Sequence, residues 1–337
     1  MHSTREKSID LPEVITAAME QGASDIHFSP GKRIKLRVDG SLVDYKGSPV
    51  VERSDTQCFF EDYLSWGEQG KYDQRKSYDT SIQIESTRAR LHFYETMEGI
   101  CMSCRIVPLI PRLMEELLIP PVAKGWIEQK GIVIVSGLAN MGKTTTLSSI
   151  VHYLNTTRSE KIVILEDPIE YVHRDIKSSI FQREIGQHSP SYADALKDIS
   201  REDTNTVIVG EVRTAAAMDA VFGMAENGLK VFTSVHATGA LETLEKIISL
   251  FQPADYDRVH KRLSWNLVGI LNQHLLPRKK PGRVLACEIL TASSDKVKTL
   301  LREGKIHQLN SYLDPGDGET MCSLSRYQQL LRQKCLL

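Results

Sequence analysis

Residues Gly137-Leu138-Ala139-Asn140-Met141-Gly142-Lys143-Thr144 complete the pattern G-x-x-x-x-G-K-[ST] directly after the apolar run Ile132-Val133-Ile134-Val135. This combination leaves a chain few ways to fold. A buried strand has to end, two glycines let the backbone curl so that its N–H groups face inward, and a helix has to start at Lys143 with its positive dipole end toward the same point. The pattern is that of a phosphate-binding loop. Gly137, Leu138, Ala139, Asn140, Met141, Gly142, Lys143, Thr144 and Thr145 are the expected nucleotide contacts. Lys143 is expected to reach the β and γ phosphates of ATP and Thr144 to place its hydroxyl on Mg²⁺. A glycine-rich strand-to-helix turn without a ligand would explain the glycines but not the lysine and threonine.

At 337 residues the chain has room for two domains, each with its own core. Lys plus Arg number 42 against 43 for Asp plus Glu, a formal net charge of -1, so no global field draws the chain to nucleic acid or an anionic membrane. The first ten residues carry no signal-type apolar stretch, and no window reaches the roughly 18 apolar residues that span a bilayer, so a soluble, cytoplasmic protein is expected. Six scattered cysteines make no disulfide framework. Cys101 and Cys104 form a lone C-x-x-C between Ile100, Met102 and Ile106, which reads as a strand rather than a metal or redox site.

The first 107 residues read as a small α+β domain. A helix is expected from Leu11 to about Gln21, with strands over Arg33 to Val38, Ser41 to Tyr45, Asp79 to Ile84 and Arg88 to Tyr94. Asp39-Gly40 is a hairpin signal. Period-two alternation puts Arg88, Arg90 and His92 on one face and Ala89, Leu91 and Phe93 on the other. Prolines at 108, 111, 120 and 121 mark residues 108–121 as a linker. Residues 122–337 then alternate apolar strands (Ile132 to Val135, Lys161 to Leu165, Thr206 to Val209, Val231 to Val235) with helices from Lys143 and near Tyr192 to Ile199, Thr214 to Glu226 and Leu241 to Leu250. The pattern predicts an α/β domain with a parallel sheet covered on both faces. Beyond Pro253 a mostly helical region is expected, with one strand over Arg283 to Leu290.

A phosphate loop works with a carboxylate at a neighbouring strand end, which holds Mg²⁺ or orients the attacking water. Thr206-Val207-Ile208-Val209-Gly210-Glu211 and Ile162-Val163-Ile164-Leu165-Glu166-Asp167-Pro168 both end in one, and either Glu211 or Glu166 is suited to polarise the water. The first has Gly210 where an aspartate usually precedes the glutamate.

Further motifs carry a resemblance. Glu166-Asp167-Pro168-Ile169-Glu170-Tyr171-Val172-His173 resembles the aspartate box of the type II/type IV secretion ATPases. Gln182-Arg183-Glu184-Ile185-Gly186, the Walker B strand Val209-Gly210-Glu211-Val212-Arg213 and the histidine box Val231-Phe232-Thr233-Ser234-Val235-His236 follow in that family's order. Gly22-Ala23-Ser24-Asp25-Ile26-His27 and Arg37-Val38-Asp39-Gly40 resemble its N-terminal PAS-like module, and Leu301-Arg302-Glu303-Gly304-Lys305-Ile306-His307-Gln308 is similar to the C-terminal segment of its twitching-motility (PilT-type) members. The resemblance implies a RecA-like P-loop core behind a PAS-like domain, and a hexameric ring that turns ATP hydrolysis into rotation of one domain against the other. It further implies a cytoplasmic motor at the inner membrane, held by a pilus platform protein, with no nucleic acid. In such a ring His236 would sense the γ-phosphate or bridge to the neighbouring domain, Glu211 would join Thr144 at Mg²⁺, and Arg88, Arg90 and Arg105 would be arginine-finger candidates.

The chain departs from the family at Ala139-Asn140-Met141, where threonine, glycine and serine are usual, and at Thr214, Ala237-Thr238 and Asn227. Slower turnover with intact binding is the expectation. Pilus retraction is expected rather than assembly or secretion, because no cysteine lies between Cys104 and Cys287 to build the zinc module of the assembly relatives, and the chain is short. A low-activity nucleotide-binding regulator is the alternative; a DNA motor fits poorly with a net charge of -1.

Overall fold

A computed structural model describes residues 9–84, 87–108, 110–279, 282–313 and 320–337. Leu109 of the expected linker and Pro281 ahead of the expected strand lie outside them. The chain divides into two compact units, Met1–Ile110 and Pro111–Leu337.

The first unit runs α1 (Leu11–Glu20), β1 (Ala23–Phe28), β2 (Lys35–Val38), β3 (Ser41–Asp44), α2 (Arg53–Tyr63), α3 (Trp66–Arg75), β4 (Ser77–Ile84), β5 (Thr87–Thr96) and β6 (Gly99–Pro108). Asp10 caps α1 by accepting the Glu13 N–H at 3.0 Å, the ordinary use of an N-cap carboxylate. Its strands form one antiparallel sheet in the order β3-β2-β1-β6-β5-β4. Asp39 and Gly40 turn the β2–β3 hairpin, both at positive φ, as the dipeptide predicted. One sheet face carries Ile26, Phe28, Leu36, Ala89, Leu91 and Phe93 into a core closed by Phe59, Phe60 and Tyr72 of α2 and α3. Phe60 meets Phe93 and Tyr72 edge-on at centroid distances of 5.9 and 4.8 Å. Arg88, Arg90 and His92 take the opposite face, so the predicted alternation holds. Cys101 and Cys104, three apart on β6, point to opposite faces as buried free thiols.

The second unit continues with α4 (Val122–Ile127), β7 (Gly131–Ser136), α5 (Lys143–Thr157), β8 (Lys161–Glu166), β9 (Ser179–Glu184), α6 (Tyr192–Ile199), β10 (Thr206–Val209), α7 (Ala215–Glu226), β11 (Lys230–Val235) and α8 (Ala240–Ser249). After these come α9 (Tyr256–Asn266), β12 (Leu267–Pro277), β13 (Arg283–Thr291), α10 (Asp295–Arg302), α11 (Asn310–Leu313), β14 (Met321–Cys322) and α12 (Leu324–Gln333). The sheet order is β14-β13-β12-β7-β11-β10-β8-β9, parallel from β12 through β9 and antiparallel at β13 and β14. Both faces are covered. Ile132, Ile134, Val163, Leu165, Val207 and Val209 pack under α6, α7 and α8, while Val133, Val135, Ile162, Ile164 and Ile208 pack under α4 and α5. Such strands are apolar at every position because water reaches neither side. Met114 and Ile119, inside the expected linker, are buried with Trp126 in this second core.

The segment after Pro253 holds a strand where helix was expected. Leu267–Pro277 is the long strand β12, paired with β7 on one side and β13 on the other. Its apolar stretch 267–271 has no period-two signal because both faces are buried, and such a run reads equally as buried helix. Gly269 marks the strand character: a register shift occurs there, and a Cβ at this position would lie 2.6 Å from the indole of Trp126, which is 1% exposed. Gly269→Ala therefore has to push a buried indole out of place. The expected loss is about 1–3 kcal/mol of stability, read as a lower urea midpoint by tryptophan fluorescence.

Candidate active site

The parallel strands deliver their C-terminal ends to one edge, and β7 is flanked there by β11 and β12. Ser136 is paired with Val235 on one side and Asn272 on the other, so the loop after β7 starts between those two strands. Gly137 has φ 150°, and a Cβ there would lie 2.7 Å from the Gln273 carbonyl oxygen. Only glycine lets the loop pass β12 this closely. Gly142 takes φ 80° as the residue before α5. Asn140 takes φ 63°, a left-handed conformation that asparagine tolerates better than other non-glycine residues, so the loop keeps its shape without the family's glycine. The Leu275 N–H points at the Met141 sulfur at 3.2 Å, and Arg283 donates to the Asn140 carbonyl at 3.4 Å. Gln273, fully buried, donates to Thr146 of α5 at 2.7 Å, and Asn272 donates to Ser136 and to the Ala237 carbonyl, both at 3.0 Å. This support from β12 was missed from sequence. The polar residues Asn272-Gln273-His274 between apolar neighbours were the available signal.

Lys143 is 8% exposed, and its ammonium donates to the Gly137 and Leu138 carbonyls at 2.9 Å each. It also faces His236 Nδ1 at 3.2 Å. An ammonium only donates, so Nδ1 accepts and the imidazole proton sits on Nε2. That nitrogen lies 3.5 Å from Glu211 Oε1, while Glu211 Oε2 accepts from Arg213 at 2.6 Å. Desolvation and then the Lys143 charge hold His236 below the usual imidazole range, overriding Glu211, so the ring is neutral at pH 7. The phosphate-loop lysine, histidine box and Walker B carboxylate thus form one chain of contacts.

Glu166 closes β8, and the pairing of Leu165 with Val209 puts it at the strand end adjacent to that leading to Glu211. The loop after it is held by the neighbouring Q-R-E-I-G residues. Gln182 accepts from the His173 N–H at 2.8 Å and donates to the Tyr171 carbonyl at 2.6 Å; Glu184 accepts from the Ile169 N–H at 3.0 Å. The motif braces the aspartate box through its backbone. Tyr171 reaches back to Thr145 Oγ1 at 3.4 Å, and His173 meets Ser148 Oγ at 3.3 Å, which ties the box to the helix behind the phosphate loop. Thr144, in the first turn of α5, is half-buried.

Arg88, Arg90 and Arg105 belong to the first unit. Arg90 and Arg105 stand directly opposite each other across β5 and β6, a like-charge pairing that is relieved locally. Arg90 lies 3.2 Å from Asp79 and Arg105 2.9 Å from Asp25, and Arg88 donates to Ser81 Oγ at 2.5 Å.

Burial makes His173 a pH reporter. Desolvation, with His152 adding to it, lowers its pKa from 6.5 to about 4. Between those values the unfolded chain binds the extra proton, so stability is complete above about pH 6.5 and falls as pH drops toward 4, by about 3 kcal/mol in total. His173→Asn should flatten that part of the curve, checked by unfolding midpoints of both proteins between pH 4 and 7.

Comparison with known proteins gives consistent findings. A family profile described as "Type II/IV secretion system protein" matches residues 3–303. The chain is 36% identical over 270 residues to the "Twitching motility protein" of Neisseria gonorrhoeae, covering 77% of this chain and 72% of that one. It is 30% identical over 318 residues to the "Type IV pilus retractation ATPase PilT" of Pseudomonas aeruginosa, covering 94% and 92%. The crystal structure of the pilus retraction motor PilT with bound ADP superposes with a TM-score of 0.84 at 30% identity, over 98% of this chain and 95% of that one. A profile match over nearly the whole chain, with relatives aligned across both units, places this chain in the type II/IV secretion system protein family.

Proposed function

We propose that this protein is a Mg²⁺-dependent ATPase of a bacterial type IV pilus system that powers pilus retraction. The observation that carries the reading is the contact chain from Lys143 through His236 to Glu211, because it connects the phosphate-loop lysine to a carboxylate suited to act on water. Similarity to a retraction ATPase across 92% of its length supports retraction over assembly.

In this reading ATP draws the Lys143 ammonium from the Gly137 and Leu138 carbonyls onto the β and γ phosphates. His236 Nδ1 loses its cationic neighbour in the same movement, which frees that nitrogen to take up a proton and donate to the γ-phosphate, and this makes the histidine a sensor. The donors near the phosphates, the Thr144 hydroxyl and the Glu211 carboxylate, are hard oxygens of the kind Mg²⁺ prefers. The ion would neutralise charge on the phosphates. Glu166 and Glu211 share the work on water: the water oxygen bonds to the γ-phosphorus, the bond to the β,γ-bridging oxygen breaks with its electrons on ADP, and the proton passes to a carboxylate.

The protein would work as a homo-hexamer on the cytoplasmic side of the inner membrane, against the pilus platform protein and without nucleic acid. Arg88, Arg90 and Arg105 would supply arginine fingers to a neighbouring subunit, and the linker 108–121 would contain the hinge between a domain 1–107 and a domain 122–337. Guanidinium groups suit charge that builds on a transferring phosphoryl group.

Phosphate release in the presence of Mg²⁺ tests the chemistry. Lys143→Ala should abolish it with the fold retained, and Glu166→Gln and Glu211→Gln should each lower kcat by at least about a hundredfold with little change in nucleotide affinity. Normal turnover in Lys143→Ala would overturn the site; normal turnover in both glutamine variants would move the catalytic carboxylate elsewhere. Arg88→Ala and Arg90→Ala should lose turnover but still bind nucleotide. Mixing Arg88→Ala with Lys143→Ala subunits should restore part of the rate, and a flat line at zero argues against fingers acting between subunits.

The biological role is read from cells lacking the gene. Retraction predicts an excess of surface pili and loss of twitching. Bald cells would assign the protein to assembly instead, and unchanged pili beside negligible ATP turnover would favour a regulator.

A further inference from the structure

Tyr192 opens α6, and its ring packs against the main core while its hydroxyl reaches the strand ends of the site. A Cβ built on Gly210 would lie 3.4 Å from that hydroxyl, 3.2 Å from the Leu165 carbonyl and 3.5 Å from Glu166 Cα. The hydroxyl therefore lies over Gly210, at the ends of β8 and β10 that carry Glu166 and lead to Glu211. The glycine that breaks the usual aspartate-glutamate pattern leaves room for it. Among the described residues the hydroxyl has no hydrogen-bond partner, although carboxylates lie near enough to act on it electrostatically. The charges of Asp167, Glu166 and Glu211 all act on it, with Arg213 opposing them. Burial, reinforced by these carboxylates, drives the phenol pKa upward, so the group is a neutral donor throughout the working pH range.

We propose that Tyr192 is a further catalytic residue, whose hydroxyl donates a hydrogen bond to the water acted on by Glu166 and Glu211. The inference rests on the ATPase reading above and adds a neutral donor beside the two carboxylates. A water molecule has two protons and two lone pairs. Carboxylates take its protons but leave both lone pairs undirected. A fixed donor occupies one lone pair and leaves the other to point at the γ-phosphorus, so the gain is one of orientation. The phenol gives up no proton in the step, and the bonds made and broken are those of ordinary ATP hydrolysis.

Tyr192→Phe keeps the ring and removes only the donor. The full-length variant should show kcat about tenfold lower, with KM and ADP affinity within about twofold of wild type and an unchanged unfolding midpoint. A purely structural tyrosine would move the midpoint or KM together with kcat, and that result overturns the proposal. Undiminished kcat in Tyr192→Phe beside an active wild type also overturns it and leaves the ATPase reading standing. A wild type that binds no nucleotide and releases no phosphate removes the ATPase reading and this proposal together.

Discussion

The close passage of Gly137 past the Gln273 carbonyl is the contact on which the rest of the site depends. A phosphate loop has to hold its N–H groups in one orientation, and here a strand more than a hundred residues later in the chain provides the wall. β12 touches the loop at Gly137, reaches Met141 through the Leu275 N–H, and grips α5 through Gln273 and Thr146. The same strand binds Ser136 and the Ala237 carbonyl through Asn272, so the exits of β7 and β11 are tied together. Buried amides in an apolar sheet are costly unless paired. Their side-chain amide groups both donate to the elements that carry the nucleotide-binding and histidine-box residues.

Lys143 shows how such a site is held in readiness. Its ammonium is buried, and its partners include two carbonyls and a neutral imidazole, acceptors that carry no net charge. A polyphosphate offers the same donor full negative charges, so contacts between an ion and neutral dipoles give way to ion pairs. The exchange of partners therefore runs toward nucleotide. It also changes the surroundings of His236, whose lowered pKa owes part of its shift to the lysine. Histidine and lysine are thus coupled electrostatically as well as by contact.

The departures from the family pattern are understandable in the folded chain. Asn140 replaces a glycine at φ 63° because an asparagine side chain tolerates the left-handed region, and the Met141 sulfur becomes an anchor on β12 where a smaller residue would leave the strand's N–H unmet. Gly210 is no such departure: it belongs to the Walker B strand shared with the family, and in place of the aspartate usual beside other phosphate loops it leaves space for a phenol. The Q-R-E-I-G motif, which by itself offers a polar set suited to binding a ligand, spends Gln182 and Glu184 on the backbone of the aspartate box.

From residue order alone came the phosphate loop, the parallel strands with their covering helices, the hairpin at Asp39-Gly40, and the carboxylates at two strand ends. All of these rest on local rules: glycine where the backbone turns sharply, period two in half-buried strands, unbroken apolar runs in buried ones. Tertiary structure alone decided that Leu267–Pro277 is a strand and that it lies beside β7. Burial on both faces erases the periodicity that would have distinguished it from a helix. The contacts between Lys143, His236 and Glu211, and the approach of Tyr192 to Gly210, likewise join residues far apart in the chain. Which strand ends become neighbours is set by sheet order, and sheet order depends on how whole faces bury one another rather than on any local pattern of residues.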